Sequence, residues 1–122
     1  MTNYNEYSPL VLAYVGDAVF ELYVRKMLTN IGNAQVDKLH KTATSYVNAA
    51  AQCDSFKKIE HKLTEFEMCI YKRGRNAKST VPKNADMIQY RVATGLEALI
   101  GYIYLTGDIK RLDEIMSLIG VK

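Results

Sequence analysis

The chain has 122 residues, of which 48% are hydrophobic and 24% charged, with a net charge of +3; it can bury one core and is too apolar to be disordered. No apolar run approaches the roughly 20 residues that span a bilayer, and MTNYNEYSP has neither the basic nor the apolar region of a secretion signal, so no membrane or export role is expected. Cys53 and Cys69 form no C-x-x-C pair and His40 lies far from His61, which argues against a zinc site and for two reduced thiols in a cytoplasmic protein.

Ser8-Pro9 opens the first helix, with serine at the N-cap and proline at the first helical position. The run LVLAYVGDAVFELYVRKML is apolar on nearly every side and predicts a buried helix, stopped by Asn30-Ile31-Gly32-Asn33. A second, amphipathic helix is expected over about Gln35 to Thr44, with Val36, Leu39 and Ala43 on one face. A third runs from about Ser45 through Gln52. Cys53-Asp54-Ser55 reads as a break, with Asp54 or Ser55 capping a long fourth helix, FKKIEHKLTEFEMCIYKRG, that turns Ile59, Leu63, Phe66 and Ile70 inward. Gly74 to Ala85 has no periodicity, and Val81-Pro82 stops any helix there. Asp86 or Asn84 caps the next helix, Met87 to about Leu105, which contains GLEALIGYIYL and ends at Thr106-Gly107-Asp108. IKRLDEIMSLI forms a short last helix. The expectation is an all-α fold, one helical bundle over residues 1–122 with two central helices.

Charge is unevenly placed. Lys72, Arg73, Arg75, Lys78 and Lys83 lie within twelve residues that hold no acid, so the basic character belongs to one segment, as in an anion-binding patch. Two acids are out of place in the opposite sense. Asp17, in YVGDAVF, and Glu97, in LEALIG, stand on the two most apolar helices, where a buried carboxylate costs several kcal/mol unless compensated. Arg25, Arg91, a backbone donor, protonation or a metal ion could each compensate it. Gly16 and Gly101 would let the two helices approach closely. Glu21, one turn after Asp17, reads as a surface residue, and both histidines read as solvated.

Val15-Gly16-Asp17-Ala18-Val19 and Glu97-Ala98-Leu99-Ile100-Gly101-Tyr102-Ile103-Tyr104-Leu105 resemble the two signature stretches of the ribonuclease III catalytic domain, "FLGDAVL" and "EALIGAIYL". They occur in the family's order, about 80 residues apart, in a chain of the right size. Arg73-Gly74-Arg75-Asn76-Ala77-Lys78 and Val81-Pro82-Lys83-Asn84-Ala85-Asp86 look like the Mini-ribonuclease III subfamily, which lacks the appended double-stranded-RNA-binding domain. The resemblance implies a Mg²⁺-dependent endoribonuclease for double-stranded RNA that leaves 5′-phosphate ends. It further implies a homodimer with one RNA-binding valley, a role in maturing precursor large-subunit (23S) ribosomal RNA, and room for a ribosomal-protein helper.

Carried over by position, Asp17 and Glu97 are catalytic metal ligands and Tyr14 belongs to the dimer interface; by pattern alone Tyr14 would be a core tyrosine. Arg73, Arg75, Asn76, Lys78 and Lys83 are expected to touch RNA phosphates and 2′-hydroxyls, the usual means of reading A-form RNA. The larger enzymes carry acids where this chain has Ala13 and Thr94, and a glutamate where it has Leu10. Mg²⁺ often uses only one or two protein carboxylates together with waters and substrate phosphates, so a two-acid site is compatible with catalysis, whereas a firmly held second metal is not expected. No Ser/His/Asp or Cys/His arrangement competes with it, and the expected nucleophile is a metal-activated water. Two other readings remain, a catalytically inactive double-stranded-RNA-binding module of the same fold and a helical dimerisation module.

Overall fold

Helices that are apolar all round have to be enclosed by others, and the chain supplies six to arrange. The computed structural model describes residues 2–122 and contains α1 (Pro9–Ile31), α2 (Val36–Val47), α3 (Ala49–Ile59), α4 (Glu65–Arg75), α5 (Met87–Leu105) and α6 (Ile109–Ile119), with no strand among the described residues. The centre is the pair α1 and α5, with α4 and α3 packed on α5, α2 on α1, and α6 closing against α3 and α5. Phe20, Val24, Leu96, Leu99, Ile100, Leu112, Ile115 and Met116 are sealed in the resulting core. None of these helices is long and apolar enough to cross a membrane.

The predicted ends hold where the capping chemistry is plain. Ser8 Oγ accepts from the Leu10 N–H and Gly32 ends α1; Asp86 Oδ1 accepts from the Gln89 N–H at the start of α5. Gly120, at φ 101°, terminates α6 in the left-handed region that glycine tolerates best.

The stretch between α2 and α5 differs from expectation. Cys53-Asp54-Ser55 does not break the chain; all three lie inside α3, with Cys53 and Ser55 buried and Asp54 exposed. The true start is Asn48, whose Oδ1 accepts from the Ala51 N–H at 2.8 Å. The true break is the 3-10 turn Glu60–Lys62 followed by Leu63 and Thr64. Thr64 and Glu67 then form a reciprocal capping box, which fixes where α4 begins. Phe66 is therefore not an inward residue: it is 51% exposed, its ring 5.5 Å from that of Tyr102. Val36, in the first turn of α2, also stays outside, while Ala43 is buried and Leu39 packs partly against the core.

Two contacts hold the outer helices in place. Phe56 stacks on Tyr71 at 3.8 Å between ring centroids, fastening α3 to α4. Arg111 pairs with Glu67 at 2.8 Å, fastening α6 to α4, and this guanidinium holds the Glu67 carboxyl below the usual carboxylate range.

Candidate active site

The crossing of α1 and α5 is set by two glycines. A Cβ on Gly16 would stand 1.7 Å from the Glu97 carbonyl oxygen, and one on Gly101 would stand 1.9 Å from that of Leu12. Only hydrogen atoms fit there, so the two backbones touch. Because the contact joins position 16 to position 97, it carries the next residue of α1, Asp17, to the side chain of Glu97.

The two carboxyls lie within hydrogen-bonding reach of one another. The burial foreseen for both is not what the structure shows: Asp17 is exposed and Glu97 is half-buried at the edge of the crossing. Burial, then the hydrogen bond and the charge of Asp17, push the Glu97 carboxyl up to about 8, with a weaker downward pull from Gln52. That value describes a pair of acids lacking a cation. Among the described residues neither is in an ion pair, and Arg25, a candidate partner, instead binds Glu21 at 3.2 Å.

Gln52 is the member of this site that sequence reasoning missed. Its side chain is 2% exposed and its Nε2 donates to Glu97 Oε2 at 3.4 Å. The residues standing where larger relatives carry acids are both buried. Ala13 offers no ligand, and the Thr94 hydroxyl donates to the Tyr90 carbonyl at 3.0 Å, keeping only its acceptor capacity. No cluster of three or more His, Cys, Asp or Glu occurs among the described residues. The pair nevertheless fits a hard divalent cation: two adjoining carboxyls, one reachable from solvent and neither paired with a basic side chain among the described residues, suit an ion that displaces the shared proton and completes its shell with water.

Asp17 also lines a cleft of ≈ 470 Å³ together with Tyr14, Ala18, Glu21, Leu22 and Tyr104. Tyr14 is 82% exposed, so the reading as a core tyrosine fails.

The helical part of the basic segment runs one residue past its expected end at Gly74. Arg73, Gly74 and Arg75 form the last turn of α4, and Gly74 is buried against Ala98 and Gly95, where a Cβ would approach to 2.7 Å and 3.0 Å. Gly74 is thus a packing residue and not a flexible one. The Arg73 guanidinium donates to the carbonyls of Asn5 and Tyr7, and Asn5 Oδ1 accepts from the Tyr102 hydroxyl at 2.7 Å, so Arg73 clasps the N-terminal segment. Arg75 lies over the Tyr71 ring at 5.7 Å and donates to Asn76 Oδ1. Asn76, Lys78 and Lys83 are exposed.

Residues 10–108 match the ribonuclease III domain family. A Mini-ribonuclease 3 from Enterococcus faecalis is 48% identical over 96% of this chain and 91% of its own length. One from a Thermoanaerobacter species is 50% identical over 91% of this chain and 79% of its own. The crystal structure of protein FN1578 from Fusobacterium nucleatum superposes with a TM-score of 0.86 at 35% identity, covering 98% of this chain and 96% of that one.

Proposed function

Since the chain belongs to the ribonuclease III family, in its Mini-ribonuclease 3 branch, we propose that it hydrolyses double-stranded RNA at the Asp17–Glu97 pair with Mg²⁺ as cofactor. The observation that carries this reading is the pair itself, brought together by the Gly16–Gly101 crossing and left without a compensating cation. Asp17 and Glu97 would hold the metal, with Gln52 behind Glu97. Such an ion, when bound, supplies an activated water and neutralises charge on the phosphorus centre. The residues themselves do the positioning: Asp17 faces solvent, where a substrate phosphate can approach, and Glu97 is fixed from the protein side.

Residues 1–122 act as one catalytic domain. Arg75, Asn76, Lys78 and Lys83 supply phosphate and 2′-hydroxyl contacts from the end of α4 and the loop that follows. Arg73 contributes positive field from its clasped position. A homodimer across the Tyr14 face would set two such sites along one duplex. The family resemblance supports precursor 23S ribosomal RNA as the cytoplasmic substrate, with a ribosomal protein as helper. The adjoining acids also favour the nuclease over an inactive binding module, because a binder of phosphates gains nothing from two carboxyls without a basic partner beside its substrate.

The test is to incubate the protein with duplex RNA, single-stranded RNA and duplex DNA, with Mg²⁺ or EDTA. Cleavage confined to duplex RNA with metal is expected, leaving 5′-phosphate and 3′-hydroxyl ends. Asp17→Asn should abolish cleavage with little change in fold or RNA binding. An Asp17→Asn protein of full activity would remove this site from the reaction.

A further inference from the structure

The geometry points to Gln52 as a positioning residue of the reaction: its amide fixes the Glu97 carboxylate for divalent-metal binding. The inference rests on the reading of Asp17 and Glu97 as metal ligands.

Gln52 is one of four buried polar or charged residues among those described, and its contact runs to an acid 45 residues away. A buried carboxamide needs partners, and here the one its nitrogen finds within hydrogen-bonding distance is Glu97 Oε2. The terminal torsion of a glutamate is broad, so without a donor the carboxylate would sample many orientations. Donation from Nε2 to Oε2 selects among them. Beside this amide, the hydrogen-bonding neighbour of the Glu97 carboxyl among the described residues is Asp17, the other proposed metal ligand.

The donor is itself rigidly held. Gln52 sits in the first turn and a half of α3, which is capped by Asn48, packed along α5 and locked to α4 by the Phe56–Tyr71 stack. A glutamine also suits this position better than the near-identical glutamate. A third acid beside Asp17 and Glu97 would repel both, whereas the amide brings a donor without charge. Partners of this kind behind a metal ligand are typically worth about 10- to 100-fold in metal affinity or activity.

The test uses Gln52→Met, which keeps the length and loses the donor. Mn²⁺ binding to the RNA-free protein is measured by the loss of the free-ion electron paramagnetic resonance signal, and cleavage of duplex RNA is followed across a Mg²⁺ titration. The expected result is a Mn²⁺ affinity about 10-fold or more weaker and a matching rise in half-saturating Mg²⁺. The KM for RNA and the metal-free melting temperature should stay near wild type, and saturating Mg²⁺ should recover most of kcat. A packing role would instead lower the melting temperature with no recovery by metal, and that outcome overturns the proposal. So would Mn²⁺ affinity and Mg²⁺ dependence within twofold of wild type. If methionine prevents folding, Gln52→Asn retains a carboxamide one methylene too short to reach Oε2, and the same shifts are expected. Asp17→Asn separates the two layers of the argument. If wild type shows no Asp17-dependent Mn²⁺ binding, the metal reading fails and this inference with it; if wild type binds and Gln52→Met binds equally, only the role of Gln52 is lost.

Discussion

Glu97 shows how one residue's surroundings set a measurable response to pH. Burial and the neighbouring Asp17 raise its carboxyl from 4.5 to about 8 in the folded, metal-free protein. Below pH 4.5 both folded and unfolded chains hold this proton, and the group costs nothing. As pH rises past 4.5 the unfolded chain releases it while the folded chain keeps it, so stability falls until the folded group also ionises near 8. In EDTA, the unfolding free energy should therefore drop between pH 5 and 8, by at most ~1.4 kcal/mol per pH unit from this one proton. Glu97→Gln should remove that slope and leave the metal-free protein more stable than wild type at pH 8. Divalent cations reverse the balance, because binding displaces the proton. Mn²⁺ affinity should accordingly rise with pH and level off above about 8. Denaturant titrations of both proteins across this range check the sign, and a wild-type slope shared by Glu97→Gln would assign the effect to another group.

At the scale of elements, the site depends on how closely α1 and α5 approach. Intrinsic helix propensity favours alanine over glycine by roughly 1 kcal/mol, so a chain read only for propensity would gain from Gly16→Ala. The added methyl would instead run into the Glu97 carbonyl, which belongs to backbone and cannot rotate away. Forcing the helices apart should destabilise the protein by ~2 kcal/mol or more and move Asp17 away from Glu97, with cleavage lost. Gly32→Ala, with nothing within 4 Å of its added methyl and an extended backbone, should stay within ~0.5 kcal/mol of wild type. Thermal melts and RNA cleavage on the two variants separate a packing role from a propensity effect. The basic segment divides in the same way. Lys78 and Lys83, both free of the ion pairs found here, should each flatten the salt dependence of RNA binding when changed to alanine, by about one unit of slope per lost phosphate contact. Arg73→Ala should chiefly loosen the N-terminal segment it clasps. These elements also mark what the sequence could disclose. The central helices, their caps and the two acids were legible because apolar runs, a Ser-Pro start and isolated carboxylates are local signals. The α3–α4 boundary is masked in the sequence because Asp54 and Ser55 look like caps, although the stronger signals are Asn48 and the Thr64–Glu67 pair. Gln52 left no trace, since an exposed glutamine in a helix looks identical until its distant partner is known.

At the scale of the whole molecule, the unpartnered face of α1 is the feature that the single chain does not account for. Val11, Tyr14 and Leu22 are 47%, 82% and 64% exposed along one stripe with Ala18, and Tyr104 of α5 adjoins them at 46%. This apolar stripe lies on the helix that also carries Asp17, beside the cleft that Asp17 lines. Exposed apolar surface so placed is what an interface requires, and a two-fold dimer would present the same patch from both copies. In that arrangement each Tyr14 meets the partner's stripe, and the two Asp17–Glu97 sites are fixed relative to one another along a duplex. Tyr14→Glu tests the arrangement sharply, because a two-fold interface would receive two buried charges from one substitution, each without a partner. Within one chain Tyr14 packs against little, so the variant should keep its helix content, and its Mn²⁺ binding should persist. Sedimentation equilibrium should then show a monomer where wild type shows a dimer, with duplex cleavage falling in parallel. If Tyr14→Glu sediments as a dimer of wild-type strength, the interface lies elsewhere. A monomer that cleaves duplex RNA at the wild-type rate would show instead that one Asp17–Glu97 site suffices, and would separate the chemistry from the assembly.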